Sequence, residues 1–242
     1  MVYMSDWLHR ERMVLGDAAV DSLKNKTVLL FGVGGVGGFA LEALVRAGVG
    51  NVALVDNDTV SLTNINRQII ADTTTVGKLK TEVAVARARA INPEIGVTCI
   101  DVFATPENIP SIIDEIRPDY IIDAIDTVTS KLSIIVTAKN CGIPVISSMG
   151  TGAKLDPTRF KIVDITKTHT CPLAKVMRLK LRELGVAHCD VLFSDELPIK
   201  AVCESELAGS TTRNVPGSVS FVPSVAGLII GGYVVKKLVG IE

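Results

Sequence analysis

The chain has 242 residues, 48% of them hydrophobic, with 25 basic against 26 acidic side chains and a formal net charge of −1. This composition excludes intrinsic disorder, which needs low hydrophobicity or a large net charge. It also excludes a protein that coats nucleic acid through overall charge, because such binding works by neutralising phosphates.

In chain order, the first residues, Met1 to Trp7, lack the basic stretch and apolar core of a signal peptide. Arg10 and Arg12 follow in Arg10-Glu-Arg-Met-Val-Leu-Gly16, where a solvated helix-face charge is one of two readings of each. Thr27 to Phe31, Val52 to Val55, Val97 to Ile100, Tyr120 to Asp123 and Pro144 to Ser147 are β-branched runs, predicted as strands buried mostly on both faces. Between them lie helical patterns at Val36 to Ala47, Lys78 to Ile91, Ile109 to Ile116 and Thr129 to Asn140. Strand and helix in alternation predict a Rossmann-like, doubly wound, mostly parallel sheet with its ligand crevice at the carboxyl ends of the strands.

Beyond Gly150 the rhythm changes. Ala153 to Leu155 and Phe160 to Val163, joined by Asp156-Pro157-Thr158, predict a hairpin, and a basic helix follows from Pro172 to Leu184. Val191 to Ser194 reads as a strand, Glu204 to Ser218 as a mobile loop, and Val225 to Leu238 as the last helix. This half extends the sheet in an antiparallel sense. The apolar stretch Phe221 to Val235 is broken by Pro223, Ser224 and glycines and falls short of the roughly 18 to 20 residues that span a bilayer, so a buried helix or a subunit contact is expected rather than membrane insertion. No linker or repeat divides the chain, which predicts one domain over 1–242, with a nucleotide-binding part in 1–150 and a substrate-binding and dimerisation part in 151–242.

The chemistry concentrates first in Phe31-Gly-Val-Gly-Gly-Val-Gly-Gly38, which ends a predicted strand and opens a predicted helix, the setting of a phosphate-binding glycine loop. Gly32 permits the tight turn, Gly34 and Gly35 let a nucleotide approach backbone N–H groups, and Gly37 allows close helix–strand packing. Asp56 stands at the end of the next strand, where a carboxylate accepts from ribose hydroxyls. A nicotinamide dehydrogenase has these features too. It has no need of what comes next: Asp56-Asn-Asp58 leading to Asn64-Ile-Asn-Arg67-Gln68, then Lys80, then Asp123-Ala-Ile-Asp126. Arg67 offers a planar fork to phosphate oxygens, Lys80 a point charge, and the acidic tip an oxygen donor for a hard cation. Attack on the α-phosphate of ATP calls for that set.

The ordered set Gly32-x-Gly34-Gly35-x-Gly37, Asp56-x-Asp58, Asn64-x2-Arg67-Gln68, Lys80 and Asp123-x2-Asp126 resembles the adenylating domain of the E1-like superfamily, which activates carboxylates as acyl-adenylates. The resemblance implies that the four glycines with Asp56, Asp58, Asn64, Arg67, Gln68, Lys80, Asp126 and Thr127 bind ATP, and that Asp126 coordinates Mg²⁺. It further implies a homodimer in which an N-terminal arginine reaches the partner's phosphates; Arg10 best matches the spacing, with Arg12 the alternative. Arg67, Lys80, Asp126 and Arg10 are the catalytic candidates on that basis.

Within the superfamily, enzymes that charge a ubiquitin-like sulfur carrier usually hold structural zinc through two CxxC pairs. The five cysteines here, Cys99, Cys141, Cys171, Cys189 and Cys203, never approach closer than fourteen residues, so no structural zinc is expected, and unpaired thiols suit a cytoplasmic location. Gly150-Thr-Gly152, Leu155-Asp156-Pro157-Thr158, the run from Asp164 to Ala174, and Gly217 to Gly227 resemble instead the branch that dehydrates threonylcarbamoyladenosine at position 37 of tRNA. That implies a tRNA substrate, and it admits a sulfur-transfer or cysteine desulfurase system as a protein partner. A sulfur-carrier activator of the same fold, or a non-catalytic E1-like subunit, are the alternatives; the intact Arg67, Lys80 and Asp126 set speaks against the last. Cys171, before a predicted helix and close to His169, has a mild case for reactivity and Cys203 a weaker one, while His9, His169 and His188 share no metal-ligand spacing. The overall charge conceals a local excess: residues 151–182 carry eight basic against two acidic side chains, namely Lys154, Arg159, Lys161, Lys167, Lys175, Arg178, Lys180 and Arg182 against Asp156 and Asp164. That segment reads as a patch for a tRNA arm, or as a solvated helix face.

Overall fold

A computed structural model describes residues 7–200 and 216–241. Seven strands form one sheet in the order β3-β2-β1-β4-β5-β7-β6. They are β1 (Thr27–Phe31), β2 (Asn51–Val55), β3 (Gly96–Ile100), β4 (Tyr120–Asp123), β5 (Val145–Ser148), β6 (Phe160–Asp164) and β7 (Asp190–Ser194). All neighbours pair in parallel except β6, which runs antiparallel to β7 at the edge. The helices are α1 (His9–Leu15), α2 (Asp17–Leu23), α3 (Gly37–Arg46), α4 (Lys80–Ile91), α5 (Ile109–Ile116), α6 (Val128–Asn140), α7 (Pro172–Glu183) and α8 (Phe221–Leu238). The fold is therefore the doubly wound α/β class that strand and helix alternation predicts.

Side chains alternate across a strand, so β1 feeds both halves of the core. Val28 and Leu30 join a cluster with α3, α4 and α8, whereas Leu29 and Phe31 join one with α5, α6 and α7. The central strands are accordingly buried throughout. β3 departs from that expectation: as an edge strand with a single neighbour, it leaves Gly96, Thr98 and Cys99 exposed.

Three further expectations change. Ala153 to Leu155 is no strand, because Ala153 sits at φ +56°, a left-handed conformation that no strand tolerates. Asp156 instead caps a 3-10 turn by accepting from the Thr158 N–H at 2.9 Å, and β6 pairs with β7. β7 itself is parallel to β5, so the antiparallel extension is one strand only. The Glu204 to Ser218 loop lies outside the described residues as far as 215. Finally, α8 starts at Phe221 rather than Val225, because Pro223 falls in the first turn, where its missing N–H costs no hydrogen bond.

α8 is the one helix among the described residues long and apolar enough to cross a membrane. It lies along α3 and buries Val222, Ala226, Ile230 and Val234. The approach depends on absent side chains. A Cβ on Gly227 would stand 2.2 Å from the Val36 carbonyl oxygen and 2.9 Å from the Ala40 nitrogen, and one on Gly231 would stand 2.5 Å from the Ala43 Cβ. Backbone cannot step aside as a side chain can, so Gly227→Ala should destabilise the protein by about 1–3 kcal/mol through overpacking. Gly232, with nothing within 4 Å of its would-be Cβ, serves as control: Gly232→Ala should be neutral or stabilising by up to ~1 kcal/mol. Urea denaturation of the two variants checks both signs.

Candidate active site

Reversal of strand order falls between β1 and β4, and there a cavity of about 670 Å³ opens at the carboxyl ends of the strands. Register explains its contents. Phe31 lies opposite Asp123, so the loop after β1 (Gly32 to Val36) and the turn after β4 (Ala124 to Thr127) are neighbours. Gly32 turns at φ +87°, and a Cβ there would stand 3.0 Å from the Ala124 carbonyl oxygen; one on Gly37 would stand 1.8 Å from that of Gly32. Only glycine permits this packing. At Gly34 a Cβ would meet nothing nearer than Gln68 Nε2 at 3.7 Å, so the backbone lies open to the cavity, and at Gly35 the nearest wall is the Pro223 ring at 3.2 Å.

Asp56 fastens this loop. One carboxylate oxygen accepts from the Val33 N–H at 2.7 Å and the other from the Asp58 N–H at 2.9 Å. Ribose hydroxyls bound here would share a carboxylate already engaged by the backbone, and each oxygen keeps a second lone pair. Asp58 pairs with Lys80 at 2.7 Å; the Lys80 side chain is buried while Asp58 is exposed, so Asp58 aims the ammonium at the cavity wall. Asn64 accepts from the Ser61 N–H at 3.1 Å and so shapes the 3-10 turn over Leu62–Asn64. Arg67, one turn on, donates to the Thr63 carbonyl at 2.9 Å and to Asn66 Oδ1 at 3.0 Å, with donors to spare in its five-proton fork. Gln68 is buried, and its side-chain oxygen has no partner among the described residues. A buried acceptor without a donor is costly, and this one lines the cavity. It calls for a ligand that brings a hydroxyl or amino donor, while the open backbone at Gly34 suits phosphate oxygens.

Asp123 and Asp126, three residues apart in sequence, have opposite settings. Asp123 is fully buried and paired with the fully buried Lys131 at 2.9 Å. Asp126 is exposed at the rim beside Thr127 and makes no hydrogen bond or ion pair among the described residues. Nowhere among those residues do three His, Cys, Asp or Glu converge. A divalent cation would therefore take Asp126 as its protein ligand and fill its remaining positions with phosphate oxygens and water, as Mg²⁺ commonly does.

Several walls of the cavity were not marked as binding residues in the sequence, although Gly150 to Gly152 and Leu173 fall in segments that carry the resemblance to the dehydratase branch. Val102 and Phe103, exposed apolar residues just after β3, line one side; their signal was an apolar pair at the carboxyl end of a strand. Ser148 to Gly152 with Leu173 line the other, a stretch without a charged side chain. Cys171 is buried behind that wall, its Sγ 3.5 Å from where a Gly150 Cβ would stand. Cys203 lies outside the described residues. Burial pushes the Cys189 thiol up to about 12, which leaves it inert. His169 stands edge-on to Phe193 and His188 pairs with Asp164 at 3.1 Å, so neither approaches the cavity lining.

Arg10 is exposed, without a partner among the described residues, and lies off the cavity of its own chain. Arg12 is bound to Asp17 and Asp21. The basic segment is partly consumed internally. Lys154 is buried and donates to the Glu196 carbonyl at 2.6 Å, Arg178 donates to Thr168, and Arg159 and Lys161 both hold Asp195, whose carboxyl is kept near 2 by those two cations. Lys167, Lys175, Lys180 and Arg182 remain exposed and unpaired among the described residues.

Comparison with known proteins agrees with this geometry. A family model described as the ThiF family matches residues 8–242. The tRNA threonylcarbamoyladenosine dehydratase of Bacillus subtilis strain 168 is 47% identical over 237 residues, which is 95% of this chain and 93% of that protein. Two crystal structures of the Escherichia coli tRNA N6-threonylcarbamoyladenosine dehydratase, one in complex with AMP and one with ATP, match with TM-scores of 0.88 at 33% and 32% identity, covering 99% of this chain and 98% of theirs.

The two carboxylates at the cavity differ in what their removal should cost. Asp56→Ala strands two backbone N–H groups and should lower stability by about 1–3 kcal/mol. Asp126→Ala breaks no contact and should stay within ~0.5 kcal/mol of the parent. Denaturant midpoints at unchanged slope measure both.

Proposed function

The chain belongs to the ThiF family, and from that premise we propose that it is an ATP-dependent tRNA threonylcarbamoyladenosine dehydratase, which closes N6-threonylcarbamoyladenosine at position 37 of tRNA into its cyclic form. The observation that carries this is likeness over nearly the whole length to dehydratases of that name, one solved with ATP, joined to a crevice that holds an open glycine loop, Lys80, Arg67 and an unengaged Asp126.

The chemistry follows from the site. A carboxylate is a poor electrophile, so an oxygen of the threonyl carboxylate attacks the α-phosphorus of ATP, forms an acyl-adenylate and releases pyrophosphate. Negative charge grows on the phosphates as that bond breaks. Arg67 and Lys80 offset it from the cavity wall, and the backbone N–H groups around Gly34 and Gly35 accept the phosphates at the amino end of α3. Mg²⁺ held by Asp126 would add charge neutralisation at the same oxygens. The carbamoyl group of the modification then attacks the activated carbonyl, a five-membered ring closes, and AMP leaves with the former carboxylate oxygen. Nucleophile and electrophile belong to one substituent, so effective molarity is high and no protein thiol is required. Ring closure needs no sulfur either, so a sulfur-transfer or cysteine desulfurase partner would act outside this step.

The two parts of the chain divide the labour. Residues 1–150 supply the nucleotide-binding groups and the N-terminal arm; residues 151–242 bear the substrate and contribute α8 to the contact with the second copy of the chain. We place Arg10 as the trans arginine of a homodimer, since Arg12 is tied to Asp17 and Asp21 while Arg10 is exposed. Exposed Met13 and Val14 on α1, and Phe221 and Leu228 on α8, give such a dimer apolar surface to bury. Lys167, Lys175, Lys180 and Arg182 supply the local positive charge for the tRNA. The reaction belongs in the cytoplasm with its tRNA.

Pyrophosphate release under saturating ATP and Mg²⁺ discriminates the substrates. Stimulation by threonylcarbamoylated tRNA, and none by a carrier protein ending in Gly-Gly, is expected; the opposite pattern assigns the chain to sulfur-carrier activation, and silence with both rejects either enzyme. Asp126→Ala should lower release about a hundredfold or more, whereas Cys171→Ala should stay within about threefold of the parent. A folded but inactive Cys171→Ala protein would overturn the thiol-independent mechanism.

A further inference from the structure

Beneath the crevice lies an ion pair that the chemistry above leaves unused. Asp123 ends β4 and Lys131 stands in the first turns of α6, and both side chains are completely shielded from solvent. Taking two charges out of water is costly, and a well-packed apolar pair of similar size is often at least as stable. What the pair holds gives a reason for its presence. The Lys131 ammonium lies 2.9 Å from Asp123 Oδ2 and donates to the Ile125 carbonyl at 3.1 Å. Asp123 Oδ1 accepts from the Ile125 N–H at 3.4 Å. Both backbone polar groups of Ile125 are thus bound by one ion pair, and Ile125 is the residue before Asp126.

The same pair reaches the other side of the cavity. Ser147, near the end of β5, donates to Asp123 Oδ2 at 2.6 Å, and the strand runs on through Ser148 into the uncharged wall at Met149 to Gly152. The Ala124 N–H is in turn donated to the Phe31 carbonyl at 2.9 Å, next to Gly32. Glycine loop, Asp126 turn and β5 wall therefore meet over one buried charge pair.

We propose that Lys131 and Asp123 are positioning residues: they fix the Ala124 to Thr127 turn so that the Asp126 carboxylate is presented to the phosphates, without either one touching the substrate. This rests on the dehydratase reading for its turnover arm, and the structural arm stands apart from it. A pair that merely fills the core would influence stability alone. A positioning pair also sets the order of the turn and the rate, and it answers to the conservative replacement.

The test compares the parent with Lys131→Met, Lys131→Arg and the charge-neutral double variant Asp123→Asn with Lys131→Met. The double variant leaves no buried charge unpaired and carries the test should Lys131→Met fail to fold. Amide hydrogen exchange at Ile125 to Val128, AMP affinity, and pyrophosphate release with threonylcarbamoylated tRNA are measured on each folded protein. Expected for the neutral double variant are exchange at those amides at least tenfold faster, release at least tenfold slower at saturating substrates, and AMP affinity within about threefold of the parent. Lys131→Arg, which keeps the charge and a donor for Ile125, should recover most of the release. Parental exchange and parental release in the double variant would overturn the proposal. Were the parent itself silent with the tRNA, the dehydratase reading would fall while exchange at the turn still decided the positioning role.

Discussion

Phe31 and Asp123 face each other across parallel strands β1 and β4, and the two loops that leave them must open into the same space. Everything chemical in the molecule depends on that register. The Gly32 to Val36 loop and the Ala124 to Thr127 turn come from segments some ninety residues apart in sequence, yet they touch through the Gly32 position and the Ala124 carbonyl. A slip by one residue would invert the faces of β4 and withdraw Asp123 from Lys131. Burial on both faces of these strands forbids such a slip, so the core that holds the sheet together also fixes the distance between the phosphate loop and the Asp126 rim.

Charge in this protein is spent locally. Several of the cations that look available in the sequence are engaged within the fold: Lys80 by Asp58, Lys131 by Asp123, Arg12 by Asp17 and Asp21, and Arg159 with Lys161 by Asp195. What this leaves around the crevice is a small set of side chains with unused capacity, Arg67, Asp126 and the Gln68 oxygen. Of these, Arg67 is the pre-organised donor, which needs no rearrangement when negative charge develops on a ligand. Local pairing also explains why a near-neutral chain can still present a cationic face: the four exposed cations between Lys167 and Arg182 have no acidic partner among the described residues.

The central strands and the helices between them were legible to within a residue or two, because apolar period and flanking turns act locally. The glycine loop, Asp56, Arg67, Gln68, Lys80 and Asp126 were legible as an ordered set, and the crevice assembles them. What escaped was whatever depends on a distant partner. Lys131 reads as an ordinary helical lysine until Asp123 is placed beneath it. Ala153 to Leu155 has a strand's composition, but its backbone is bound to Gly217 and Ile199, far along the chain, and Ala153 turns left-handed to meet them. Edge exposure of β3 follows from strand order, which no local pattern encodes.

The seam between α3 and α8 has a consequence for biosynthesis. α3, which follows the glycine loop, leaves the ribosome well before α8, against which the Val36 and Ala40 backbone must close. Pro223 of α8 is also the wall nearest Gly35. Domains generally fold as units as they emerge, but here a nascent chain that lacks residues 221–238 has neither the cover for α3 nor the roof of its own crevice. A ribosome-bound intermediate would expose the apolar side of α3 until α8 emerges, and the crevice would close over a nucleotide only after that.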